Sequence, residues 1–143
     1  MKTLYLKLTE LLREIPELKF IEENFGQLQE SNPPIAYPAV LITMEVPNSD
    51  DIDEMFQNVF CNFEILIITK TIGESNSLAP EEQREKALEY YDLSDKVYQK
   101  LQGYSDGKFE SFSRRSVTNR SLRKGLKTVA HRFSTSWREH TAN

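Results

Sequence analysis

Six cations fall within fourteen residues, at Arg114, Arg115, Arg120, Arg123, Lys124 and Lys127. They form the densest chemical signal in the chain. One reading is phosphate contact, with Phe109 and Phe112 nearby as stacking platforms. The other is a solvated or subunit-facing hairpin that meets the acidic first half of a neighbouring copy. The formal net charge of the whole chain is −4, which places protein contact ahead of nucleic acid. The sign is segregated. From Gly103 onward, Lys108, Arg132 and Arg138 join the six, against Asp106, Glu110 and Glu139 alone, so everything earlier is clearly acidic. Such a split favours charge-complementary association, between copies or with an anionic partner.

The other chemistry-bearing residues lack the spacing that reactions need. His131 and His140 have no HxxH or HExxH pattern and no cysteine partner, so His131 reads as a packed or interface residue. Asp50, Asp51, Asp53 and Glu54 offer oxygen ligands without calcium-loop spacing, and read as a solvated loop. Ser111, Ser113 and Ser116 have no GxSxG turn, and with 5 glycines the chain has no phosphate-binding loop. Cys61, the single cysteine, excludes an internal disulfide and reads as a small buried hydrophobe. The expectation is therefore no catalytic residue, no metal and no cofactor.

These residues must be positioned by a sheet. Over Phe56 to Thr71, the residues Val59, Cys61, Phe63, Ile65 and Ile67 repeat with a period of two and share a face. The other face is polar at Asn58, Asn62 and Glu64 and turns apolar at Leu66 and Ile68. One end of this strand should be covered on both faces and the other half wet. About fourteen extended residues span on the order of 45 Å, whereas a chain of this size has a diameter near 40 Å. The strand either bends at a bulge or belongs to a hairpin that leaves the body.

Around it, Leu4, Leu8, Leu11, Leu12 and Ile15 predict an amphipathic helix over residues 1–15, closed by Pro16. Leu18 and Phe20 start a short strand. After the connector Ser31 to Pro34, Val40, Ile42, Met44 and Val46 alternate in a strand that pairs as a hairpin with the long one. Pro80, Glu81 and Glu82 open a helix, with Ser77 as a candidate cap. Ala87, Tyr90, Tyr91, Ser94, Val97, Tyr98 and Leu101 follow its rhythm to Gly103. Phe109 to Val117 and Thr128 to Trp137 are two more strands, joined by the basic connection from Ser116 to Lys127. The final HTAN is expected to fray. No apolar run spans a membrane. The fold class is α+β: an antiparallel sheet of four to five strands, two helices packed on one face, and a long projecting hairpin, in a single domain over residues 1–143 with its core over 38–138.

The order of these pieces resembles small phage tail-completion or tail-terminator proteins of bacterial prophages. The likeness runs from Pro33 to Arg138 through Tyr37-Pro38-Ala39-Val40-Leu41-Ile42, Ile65-Leu66-Ile67-Ile68, Ala87-Leu88, Leu101-Gln102-Gly103 and Phe109 to Arg115. It implies a non-enzymatic subunit of a ring, typically six copies, that caps the tail tube and joins it to the head connector. Such a protein is made in the cytoplasm of the bacterial host and assembles into the virion tail or neck. On this reading the partners are copies of itself, tail-tube and head-connector proteins, with nucleic acid the lesser alternative. The expected oligomer interface uses Phe56, Phe60, Leu66 and Ile68 of the hairpin together with the six cations from Arg114 to Lys127.

Overall fold

The computed structural model describes residues 1–140; of the HTAN end expected to fray, His140 is instead paired with Phe56 in the last strand, and the rest lies outside the described residues. Helix α1 (Lys2–Leu12) is followed by β1 (Phe20–Glu23), a single 3-10 turn at Gln27–Gln29, and the strands β2 (Ala39–Asp51) and β3 (Phe56–Lys70). Then come α2 (Glu81–Ala87), α3 (Glu89–Leu101), β4 (Ser113–Arg120) and β5 (Leu126–His140). The strands form one five-stranded sheet in the order β1-β2-β3-β5-β4. The fold class is α+β, with a mixed rather than purely antiparallel sheet: β1 runs parallel to β2, with Phe20 opposite Ala39. Parallel neighbours need a crossover, and the segment from Asn24 to Pro38 supplies it.

The period-two pattern of β3 does what its chemistry dictates. Val59, Cys61, Phe63, Ile65 and Ile67 are buried against Leu4, Leu8 and Leu12 of α1 and Leu93, Val97 and Leu101 of α3. At the centre Phe63 stacks on Phe133 at 5.2 Å and meets Phe112 edge-on at 5.1 Å. On the opposite face, Leu41, Leu66, Ile68 and Ala130 form a second apolar cluster capped by Leu28, with Phe20, Ile35 and Tyr37 packed against it. The crossover segment is thus the lid of that cluster, and β3 is buried on both faces from Ile65 to Ile68.

Several expected boundaries move. The long helix ending at Gly103 is two helices, broken at Leu88. The Leu88 amide donates to the carbonyls of both Arg84 and Glu85, and the Leu88 carbonyl accepts from Tyr91, the tighter three-residue spacing that ends one helix and starts the next. Pro80, not Ser77, stands at the N-terminal cap. The strand expected from Phe109 begins only at Ser113. Upstream, the Asp106 carboxylate accepts from the amides of Lys108 and Phe109, folding the chain over so that Phe109 and Phe112 enter the core. Strand β4 runs on to Arg120, so the basic connection shrinks to residues 121–125.

The long hairpin both kinks and projects. The pairing of β2 with β3 slips between Glu45 and Asn48, where Pro47 has no amide to give the ladder. Beyond the slip, residues 46–51 of β2 are exposed. β5 accompanies the hairpin outward, His140 lying opposite Phe56, so the projection is a three-stranded ribbon.

Candidate functional site

The ribbon's outer end is exposed among the described residues. Val59 and Trp137 are the last buried residues on their strands before the tip. Past them, Phe56 is half-buried between the His140 ring, edge-on at 4.9 Å, and the Arg138 guanidinium at 5.6 Å. The tip is ordered from within. The Asp53 carboxylate accepts from the amides of Met55 at 2.7 Å and Phe56 at 3.0 Å, and the Ile52 amide donates to the Phe56 carbonyl at 2.9 Å. This turn holds Ile52 and Met55 outward, 43% and 47% exposed. Val46 and Phe60 are the other exposed apolar residues of the ribbon. Of the expected interface residues, Phe56 and Phe60 lie here. Leu66 and Ile68 do not: the subunit's own lid buries them, leaving no surface to offer another copy.

The six cations do not make one patch. The Arg114 guanidinium stacks on Tyr98 at 3.8 Å, on the helix side. Arg120 crosses to the other side and grips Glu64 with two hydrogen bonds of 3.0 and 2.9 Å. Arg123 donates to the carbonyls of Leu28, Glu30 and Ser31, latching the lid. The Lys127 ammonium donates to the Ala87 carbonyl at 3.0 Å and sits 4.7 Å over the Tyr90 ring. Arg115 donates to the Ser134 hydroxyl beside Phe60, in an open polar trough. Only Lys124 reaches out from the turn without a partner among the described residues. Alternation along two strands sends neighbours in sequence to opposite faces, which a linear count of charges does not register.

A cavity of about 500 Å³ lies at the opposite end of the sheet from the tip. Lys19, Tyr37, Thr69 and Lys70 line one side and Lys86, Ala87, Tyr90 and Leu93 the other. Lys96 is paired with Glu17 at its rim, whereas the ammonium groups of Lys19 and Lys86 meet no acceptor among the described residues. Thr69 Oγ1 is buried without a hydrogen-bond partner. These residues come from four separate stretches, and no spacing in the sequence brings them together.

No family model matches the chain, and no curated protein matches it. A chain of one solved structure, described as "Virion of native gene transfer agent (GTA) particle", superposes with a TM-score of 0.48 at 14% identity, over 92% of this chain and 84% of that one. At that level the likeness carries no argument about function.

His131 is the other titratable group the fold singles out. It is buried in β5 under α3, its Nε2 2.6 Å from Ser94 Oγ and its Nδ1 3.4 Å from an Arg114 nitrogen. A guanidinium only donates, so Nδ1 accepts and the Nε2 proton goes to Ser94. Burial, then the Arg114 charge, push the imidazole down to about 4, against a weaker opposing pull from Asp95. A serine nucleophile needs the reverse polarity, with the histidine accepting from the hydroxyl and an acid behind it. Neither the cavity nor the trough is lined by Ser94 or His131. The pair is a polar tie between α3 and β5. Among the described residues no group of three or more His, Cys, Asp or Glu could hold a metal, and no helix is long and apolar enough to cross a membrane.

Proposed function

We propose that this chain is a non-enzymatic assembly subunit, of the tail-completion, tail-terminator or neck kind that residues Pro33 to Arg138 resemble. It works by joining copies of itself into a ring at the head-tail junction of a prophage-encoded virion, six in the pattern the resemblance implies. Its further partners are tail-tube and head-connector proteins. The observation that carries this reading is the ribbon end. A three-stranded extension with an internally braced tip displays Val46, Ile52 and Met55 to solvent among the described residues. An isolated subunit gains nothing from ordering such a tip, whereas a subunit joined to others does.

The nucleic-acid alternative rests on the basic segment, and five of its six cations are engaged inside the subunit on different faces. Light scattering of the purified protein from micromolar to millimolar concentration, with negative-stain microscopy of the concentrated sample, tests the proposal. Closed rings or defined oligomers are expected. A strictly monomeric species throughout the range overturns it.

A further inference from the structure

The tip and the cavity lie at opposite ends of β3. The tip turn precedes its first residue, Phe56, while Thr69 and Lys70 at its other end line the cavity. Fifteen extended residues separate them by about 45 to 50 Å. A subunit therefore cannot fill its own cavity with its own tip.

The two surfaces match in chemistry. The tip carries Ile52 and Met55 with Asp50, Asp51, Asp53 and Glu54 around them, against the one cation Arg138 that the neighbouring strand holds over Phe56. The cavity has Tyr37, Ala87, Tyr90 and Leu93 for apolar walls, and lysines Lys19, Lys70 and Lys86 that outnumber the rim acids left after Glu17 is taken by Lys96, namely Glu89 and Asp92. Its volume suits a short apolar segment. Because Asp53 already fixes the turn, docking loses little conformational freedom.

Pairing of sheet edges is the competing route between copies, and the edges are poor templates for it. The edge strand β1 has 4 residues, the stretch of β2 left open beyond it carries Pro47 at its slip, and β4 has a register shift at Arg115. Resting on the assembly reading above, we infer that the Ile52–Met55 turn of one copy seats in the Lys19, Lys70 and Lys86 cavity of the next. This is a head-to-tail contact between two different surfaces, the type that generates rings when the rotation closes.

The test is complementation. A tip variant, Ile52→Asp with Met55→Asp, keeps a sound cavity, and a rim variant, Lys19→Glu with Lys86→Glu, keeps a sound tip. All four side chains are exposed, so both variants should retain the circular dichroism of the parent. Each alone should associate roughly thirtyfold more weakly or worse. Their equimolar mixture should form one-to-one pairs and nothing larger, because only one junction type has two native halves. As a check on position, a Met55→Cys copy mixed with an Ile72→Cys copy should cross-link under oxidation, since Ile72 lines the cavity. If both variants assemble like the parent, or the mixture stays monomeric, the tip-in-cavity contact is wrong while the assembly reading stands. If the unmodified protein never associates, both fall.

Discussion

Replacing His131 should remove most of this protein's sensitivity to mild acid. The unfolded chain takes up the histidine proton near the ordinary 6.5 and the folded one near 4. Between those values the unfolded state binds more protons, so stability is full above about pH 6.5 and falls as the pH drops toward 4. The separation corresponds to about 3 kcal/mol over the whole window, of which about 2 kcal/mol is lost between about pH 7 and 5. The cause is spatial: a protonated ring would face the Arg114 guanidinium in a site closed by α3, with Asp95 the only opposing charge. The assay is urea unfolding at half-unit steps of pH for the parent and for His131→Gln. The variant sits lower at neutral pH, from the lost Ser94 contact, but its curve should be about 2 kcal/mol flatter between pH 7 and 5. Subtracting the curves cancels the carboxylates common to both. With 2 histidines in the chain, proton NMR reads His131 directly. Equal slopes in parent and variant, or a His131 resonance titrating near its ordinary value, would refute the reasoning.

Other perturbations test the remaining contacts. Phe63→Ala empties the space between Phe112 and Phe133 and should cost about 3 to 5 kcal/mol in denaturant unfolding. Arg123→Ala releases the carbonyls of Leu28, Glu30 and Ser31. It should cost about 1 to 3 kcal/mol and speed amide exchange selectively over residues 26–37. Asp53→Ala unties the tip from the amides of Met55 and Phe56, and should weaken self-association several-fold while leaving the unfolding midpoint nearly unchanged, since no core residue touches the turn.

How much of this was legible in the chain depends on the range of the physics. The alternation of β3 announced its buried face and the residues where both faces close, because side-chain direction in a strand is local. The amphipathic repeat did the same for α1. The direction of β1 was not legible, since it is set by where a polar-looking crossover lays Leu28 and Tyr37, not by β1's own residues. The break at Leu88 was hidden because Ala87, Ser94, Val97 and Leu101 keep helical spacing across it. Leu93, which sat outside that list, proves buried as well. The basic cluster misled for the same reason that β3 was transparent: alternation deals adjacent arginines to opposite faces. The lysine-rimmed cavity joins Lys19 to Lys86 and left no trace in spacing.

One consequence of the lid over the second cluster concerns the protein before it finds its neighbours. Ile65-Leu66-Ile67-Ile68 is a dense β-forming, uncharged run, the kind that nucleates amyloid when laid bare, and on one side its shield is an irregular segment held by the packing of Leu28, Ile35 and Tyr37 and by the Arg123 guanidinium on three carbonyls. Loosening Arg123 would uncover this run more often in newly made subunits waiting to be used. Shelf life, as well as fold stability, is then a property that this arginine safeguards.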